Sequence, residues 1–252
     1  MGEKKLTFTE HLGELRRALM VSGIAVLVCF CVAFYFSDWL DWAIRLPIDG
    51  LLPEGSEPVY LGIFEPIFYK LKLGLIGGIL LAIPIIFQQF WWFISPGLNP
   101  RERKLALPFI LVATIFFLGG AAFCYFIVLP NAAAFSVGQM ADKTQIVLSL
   151  KSYLSNAAMF IFAFGVVFET PVIVFLISAV GLVHPDTLAR YRKYVLLASF
   201  VIAAIITPTP DPLNQAIMAV PMYLLFELGV FSARFVVGTK VKSKIEGKDQ
   251  NP

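Results

Sequence analysis

The sequence predicts an all-α membrane protein with six transmembrane helices and both termini cytoplasmic, forming a concave bundle with two short C-terminal spans. Three observations carry this expectation. Hydrophobic residues make up 58% of the chain and charged residues only 15%, a balance no ordinary soluble domain has. Several apolar runs approach the length of about 20 residues that crosses a bilayer. Fifteen of the twenty lysines and arginines fall at the N-terminus, in two connecting loops and in the tail. That asymmetry puts these segments on the cytoplasmic side, as an even number of spans requires. The small net positive charge follows this segregation and does not point to nucleic acid.

The stretch from Thr7 to Arg17 precedes the first apolar run and so lies where water meets lipid. Thr7 and Glu10 form a capping-box pattern that satisfies the first backbone N–H groups of a helix. At 100° per residue, Phe8, Leu12, Leu15 and Leu19 share one stripe, with Glu10, Glu14 and Arg17 opposite. An amphipathic helix over 7–17 presenting carboxylates is expected, and a solvated lead-in to the membrane explains the same pattern. Two acids interrupt the basic region and no small-residue cleavage site follows, so a signal peptide is not expected.

The first span covers about 18–36, with Trp39 and Trp42 at the interface beyond it. An acidic outer loop follows, with a short surface helix from Asp38 to Leu46 that Pro47 stops. The second span, about 70–94, contains Gly74, Gly77 and Gly78, small residues that let another helix come close. Pro84 is expected to bend it. A tight turn, Ser95-Pro96-Gly97-Leu98-Asn99-Pro100, then leads into Arg101-Glu102-Arg103-Lys104. The third span covers about 105–129 and carries a second small-residue patch, Gly119-Gly120-Ala121-Ala122. An outer loop from Pro130 to about Lys151 precedes the fourth span, about 152–180, which holds Glu169-Thr170-Pro171.

The last two spans, about 194–206 and 215–233, are short. Thirteen residues reach about 20 Å against a hydrocarbon core of about 30 Å. Glu227 interrupts the sixth early, and residues 239–252 form a charged, disordered tail. Adjacent short spans imply local bilayer thinning or dependence on neighbours.

Among single residues Glu169 stands out. It lies about 16 Å from the inner end of its span, where an ionisable group costs several kcal/mol unless paired, protonated or facing water. It is either a functional acid on a concave, partly wet face or a protonated carboxyl bonded to a neighbouring helix. Glu102 is flanked by Arg101, Arg103 and Lys104 and reads as a self-neutralising loop or, with Glu14 on the same side, as part of an anionic site. Two such carboxylates suit a ligand bearing two arginines. Cys29, Cys31 and Cys124 lie in apolar runs and read as packing residues, and neither His11 nor His184 has a partner at metal-ligand spacing. No HExxH, GxSxG or phosphate-loop motif is present, so neither an enzyme nor a cofactor or metal is expected. A small-molecule or proton-coupled transporter would need inverted repeats or more intramembrane charges, and none is visible.

Ordered motifs across nearly the whole chain resemble the TatC family of the twin-arginine translocase. They are His11-Leu12-Gly13-Glu14-Leu15-Arg16-Arg17, Phe93-Ile94-Ser95-Pro96-Gly97-Leu98 with Arg101-Glu102-Arg103, Phe168-Glu169-Thr170-Pro171, Thr209-Pro210-Asp211-Pro212 with Gln215, and Met222-Tyr223-Leu224-Leu225-Phe226-Glu227. The resemblance implies a receptor for signal peptides bearing consecutive arginines. Such a receptor moves folded proteins across the bacterial cytoplasmic membrane, or the thylakoid membrane, using the proton-motive force. It implies a multimeric complex with single-span TatA- and TatB-type partners. By position it implies that Glu14 and Glu102 contact the arginine pair, with Arg16, Phe93 and Arg103 shaping that site. Glu169 would lie on the concave membrane face, Gln215 and Thr207 near partner-helix contacts, and Pro47 and Asp211 at structural or translocation-related positions.

Overall fold

Glycines set the close approach of the first and third helices. A computed structural model describes residues 8–51, 58–95, 106–138, 148–179, 181–206 and 212–246. Helix α1 (Phe8–Tyr35) lies along α3 (Glu65–Ile94), its most extensive partner. A Cβ on Gly78 would stand 2.7 Å from the Phe30 backbone, and one on Gly77 2.9 Å from the Leu40 side chain. The small-residue patch in α3 is therefore what the sequence indicated, a seat for another helix.

The expected amphipathic segment 7–17 and first span are one helix without a break. Thr7, the proposed cap, lies outside the described residues. The chain turns at Phe36 into α2 (Ser37–Asp49). Here Pro47 does not stop the helix as expected but sits within its last turn. A proline in a helix leaves the carbonyl four residues earlier without its N–H partner. That carbonyl belongs to Ala43, and the Tyr125 hydroxyl donates to it.

α3 passes through Pro84 without interruption. α4 (Ala106–Phe123) widens into a π-helical turn, Cys124–Val128, and continues as α5 (Leu129–Gly138). Helix thus extends past the expected end of the third span and takes in the start of the expected outer loop. Pro130 lacks the N–H that would serve the Phe126 carbonyl, and the wide turn lies immediately before it. The second small-residue patch also works as a seat. A Cβ on Gly120 would lie 2.5 Å from the Phe164 carbonyl oxygen, whereas Gly119 has open space.

The fourth apolar stretch is two helices, α6 (Leu150–Phe168) and α7 (Thr170–Ala179), broken at Glu169. A short α8 (Pro185–Arg190) leads to α9 (Arg192–Ile206), fifteen residues long, and then to α10 (Pro212–Glu246). α10 is the longest helix described, thirty-five residues, and runs through positions 239–246 expected to be disordered. Shortness therefore belongs to α9 alone. Glu227 does not end α10 because Arg192, 2.7 Å away, and the Tyr223 hydroxyl, 2.9 Å away, engage its carboxylate.

Five described stretches are long and apolar enough to cross a bilayer: Glu10–Tyr35, Glu65–Ile94, Ala106–Gly138, Leu150–Ser178 and Gln215–Arg234. They pack as a row, α1 on α3, α3 on α4, α4 on α6, and α7 on α10, with α9 against α10. The main core, around Leu73, Cys124, Leu154, Phe164 and Ala219, sits where α3, α4, α6 and α10 converge. One pairing breaks the all-helical pattern: β1 (Pro58–Val59) and β2 (Leu148–Ser149) form a two-residue parallel ladder at one end.

Candidate functional site

The start of α1 and the end of α3 meet at one corner of the row. The His11 ring stacks on Phe93 with centroids 4.4 Å apart and planes 18° from parallel. Glu14, one turn on, places Oε2 3.3 Å from His11 Nδ1. Both side chains stay close to half exposed, and Arg16 and Arg17 are exposed. The apolar stripe Leu12, Leu15 and Leu19 is exposed as well, so it faces away from the fold, as a lipid-contacting surface does. The carboxylate of Glu14 contacts the His11 ring, which itself stacks on the end of α3. Glu102 and Arg103 lie outside the described residues.

A second feature opens beside this corner. Glu169 sits at the junction of α6 and α7, only 7% exposed, and its Oε1 has no hydrogen-bond partner. The break is built locally. Pro171 cannot donate to the Val167 carbonyl, and the Thr170 hydroxyl takes that carbonyl at 2.6 Å. A hollow of about 620 Å³ borders the carboxyl, lined by Phe87, Phe90, Phe109, Phe117 and Leu176 among others, and Glu169 is its one polar lining residue among those described. Ile94, next to Phe93, lines the same hollow. A carboxyl oxygen without a partner in such apolar surroundings offers a hydrogen bond to a polar group brought in by a ligand or another helix.

The opposite end of the molecule is closed by a polar network on α2. Asp41 Oδ1 accepts from the Tyr69 hydroxyl at 2.6 Å and from Arg45 Nε at 2.9 Å. Burial opposes the charge on Arg45, but the Asp41 hydrogen bond and charge outweigh it and raise its pKa. The Tyr153 hydroxyl donates to the Ile44 carbonyl at 2.9 Å, beside the Tyr125 bond to Ala43.

Residues 10–221 match the family model described as Sec-independent protein translocase protein (TatC). The TatC protein of Desulforapulum autotrophicum is 40% identical over 249 residues, covering 99% of this chain and 92% of the relative. That of Escherichia coli K12 is 38% identical, covering 90% and 88%. The chain belongs to the TatC family. A crystal structure titled as that of the twin-arginine translocase receptor TatC superposes with a TM-score of 0.75 at 38% identity, covering 90% of this chain and all of that one. This TatC-family chain is accordingly a membrane-embedded component of the Sec-independent protein translocase, with a transport rather than a catalytic role.

Within this TatC chain, the structure links Glu14 to Phe93 only through a ring between them, and Arg16 is exposed on the same helix as Glu14. It adds His11, passed over in the sequence for want of a metal partner, as the ring that joins the two. The signal was its position three residues before Glu14, on the same helix face. Gln215 is turned inward, its Nε2 donating to the Phe200 carbonyl at 2.8 Å and tying α10 to α9. Thr207 and Asp211 lie outside the described residues. Pro47 stands away from both the corner and Glu169, within the α2 network.

Proposed function

We propose that this chain is the signal-peptide-binding core subunit of a twin-arginine translocase in the bacterial cytoplasmic membrane. It recognises consecutive arginines and passes folded proteins across the membrane on the proton-motive force, without catalysing a covalent reaction. The supporting observation is the corner where Glu14, His11 and Phe93 meet, which presents a part-exposed carboxylate beside an aromatic face. Such a surface suits guanidinium groups, which pair with carboxylates and stack on rings. In this reading Glu102 and Arg103, which follow Phe93 in sequence, complete the site, with Arg16 setting its charge balance.

In this reading six spans cross the bilayer, formed by α1, α3, α4 with α5, α6 with α7, α9 and α10, and both termini are cytoplasmic. The corner then lies at the inner rim. Fifteen residues of α9 cover about 22 Å, less than the hydrocarbon core, and thin the bilayer locally. TatA- and TatB-type single-span partners dock near Gln215 and Thr207 in a multimeric complex, and Glu169 meets a polar group on the membrane face. Pro47 and Asp211 hold the outer connections.

The test is affinity of the purified protein for signal peptides carrying Arg-Arg or Lys-Lys, measured for wild type and Glu102→Gln. Losing one charge-assisted hydrogen bond is expected to weaken Arg-Arg binding about tenfold and to narrow the difference between the peptides. Equal affinities in all four combinations would reject the proposal.

A further inference from the structure

A groove of about 800 Å³ runs between α1, the first half of α3 and the first turn of α6, whereas the Glu169 hollow borders the second half of α3. Leu27, Phe30, Phe68 and Leu71 line it, and two ammonium groups, those of Lys72 and Lys151, stand at its edge. The other described cations at this end are neutralised at close range: Lys70 by Asp38 at 2.8 Å and Arg45 by Asp41 at 2.9 Å. Lys72 is different. It donates to the Ser155 hydroxyl at 2.7 Å and has no carboxylate partner among the described residues. Lys151 stands one turn before Ser155 on α6, and its Nζ is 3.9 Å from Glu65, the outer limit of an ion pair. Glu65 also accepts from the Leu61 backbone N–H at 2.7 Å. Among the described residues Lys72 therefore has no carboxylate and Lys151 only a distant one, above an apolar trough that opens on the exposed face of α1.

We infer that this groove binds an anionic phospholipid, its phosphate between Lys72 and Lys151 and an acyl chain along Leu27 and Phe30. An excess cation beside hydrocarbon is satisfied by an anion, and an anion carrying its own apolar tail fills both halves of the site. A neutral lipid would leave the lysines unpaired, and a soluble phosphate would leave the trough empty. The leaflet occupied, the outer one, rests on the topology proposed above. Binding in detergent does not, so the two readings fail separately.

The experiment is native mass spectrometry of the full chain in a neutral detergent, with phosphatidylglycerol and phosphatidylcholine of equal chain length. Wild type should retain phosphatidylglycerol over phosphatidylcholine, and the preference should fall about fivefold for each lysine removed in Lys151→Gln and in Lys72→Gln/Lys151→Gln. Lys72→Arg/Lys151→Arg should keep the preference, as should Lys70→Gln, whose cation belongs to Asp38. Excess glycerol phosphate should not displace the bound lipid. Equal retention of the two lipids by wild type would overturn the inference. So would an undiminished preference in Lys151→Gln, or displacement by glycerol phosphate, which would mark a simple anion site. Loss of preference in Lys70→Gln would also overturn it, by showing a diffuse charge effect.

Discussion

The two ends of the row are built on opposite principles. At the α2 end, three tyrosines from α3, the π-helical turn and α6 converge on one short helix, and Tyr69 is only 1% exposed. The Tyr125 hydroxyl meets a carbonyl that would otherwise lack a donor, Tyr69 joins Arg45 on Asp41, Tyr153 reaches the neighbouring Ile44 carbonyl, and the β1–β2 ladder ties adjoining segments. At the α1–α3 corner a single 3.3 Å contact and one ring stack join side chains that solvent still reaches. Buried polar networks are stiff because breaking any member strands another. Part-exposed pairs contribute little and rearrange freely. Rigidity is thus concentrated where α2 is pinned, and adaptability where the proposed peptide would bind.

The largest effect that would test this contrast is on Asp41. Asp41→Ala removes the acceptor of the Tyr69 hydroxyl and strands a part-buried Arg45 guanidinium. Unfolding of the detergent-solubilised protein should shift by about 2–3 kcal/mol. A shift of a few tenths would mean that the α2 end is no stiffer than the corner. The next effect is a coupling. Tyr125→Phe should cost about 1–2 kcal/mol in wild type, because the Ala43 carbonyl then has no donor. In a Pro47→Ala background the restored backbone N–H serves that carbonyl, and the cost should nearly vanish. Equal costs in both backgrounds would show that Pro47 and Tyr125 act independently.

That coupling also marks where sequence reading ended. The glycine patches were legible because close helix approach leaves no room for a Cβ, and Gly78 and Gly120 are seats for their neighbours. The interruption at Glu169 was legible too, since Pro171 cannot donate and an ionisable residue beside it needs a special setting. The fate of Pro47 was not. A proline in a helix's last turn removes one bond, and whether the helix survives depends on what takes the freed carbonyl. Here the donor is Tyr125, 82 positions away, which no local pattern reveals. The same reasoning covers the tail. Charge along 239–246 suggested solvated chain, but those residues extend a helix already nucleated and packed through Phe226 and Val230. Of the candidate site, Glu14 and Phe93 each touch His11, a residue whose part in the corner depends on α1 and α3 meeting there.

The smallest expected change is the most discriminating. Glu14 is 39% exposed in its side chain, and its contact is to His11 three residues earlier on the same helix. Pairs of that kind contribute at most about 0.5 kcal/mol, so Glu14→Gln should leave the unfolding transition of the purified protein almost in place. If the corner is a binding surface, the same substitution should weaken twin-arginine peptide binding about tenfold, because a carboxylate facing guanidinium loses its charge and keeps only its shape. Function and stability then separate at Glu14, whereas at Asp41 they fall together. A Glu14→Gln protein that unfolds more than about 1 kcal/mol earlier would place the corner among the stiff parts of the fold. Its carboxylate would then belong to the packing of α1 on α3, and the arginine-binding role would have to rest on Glu102 alone.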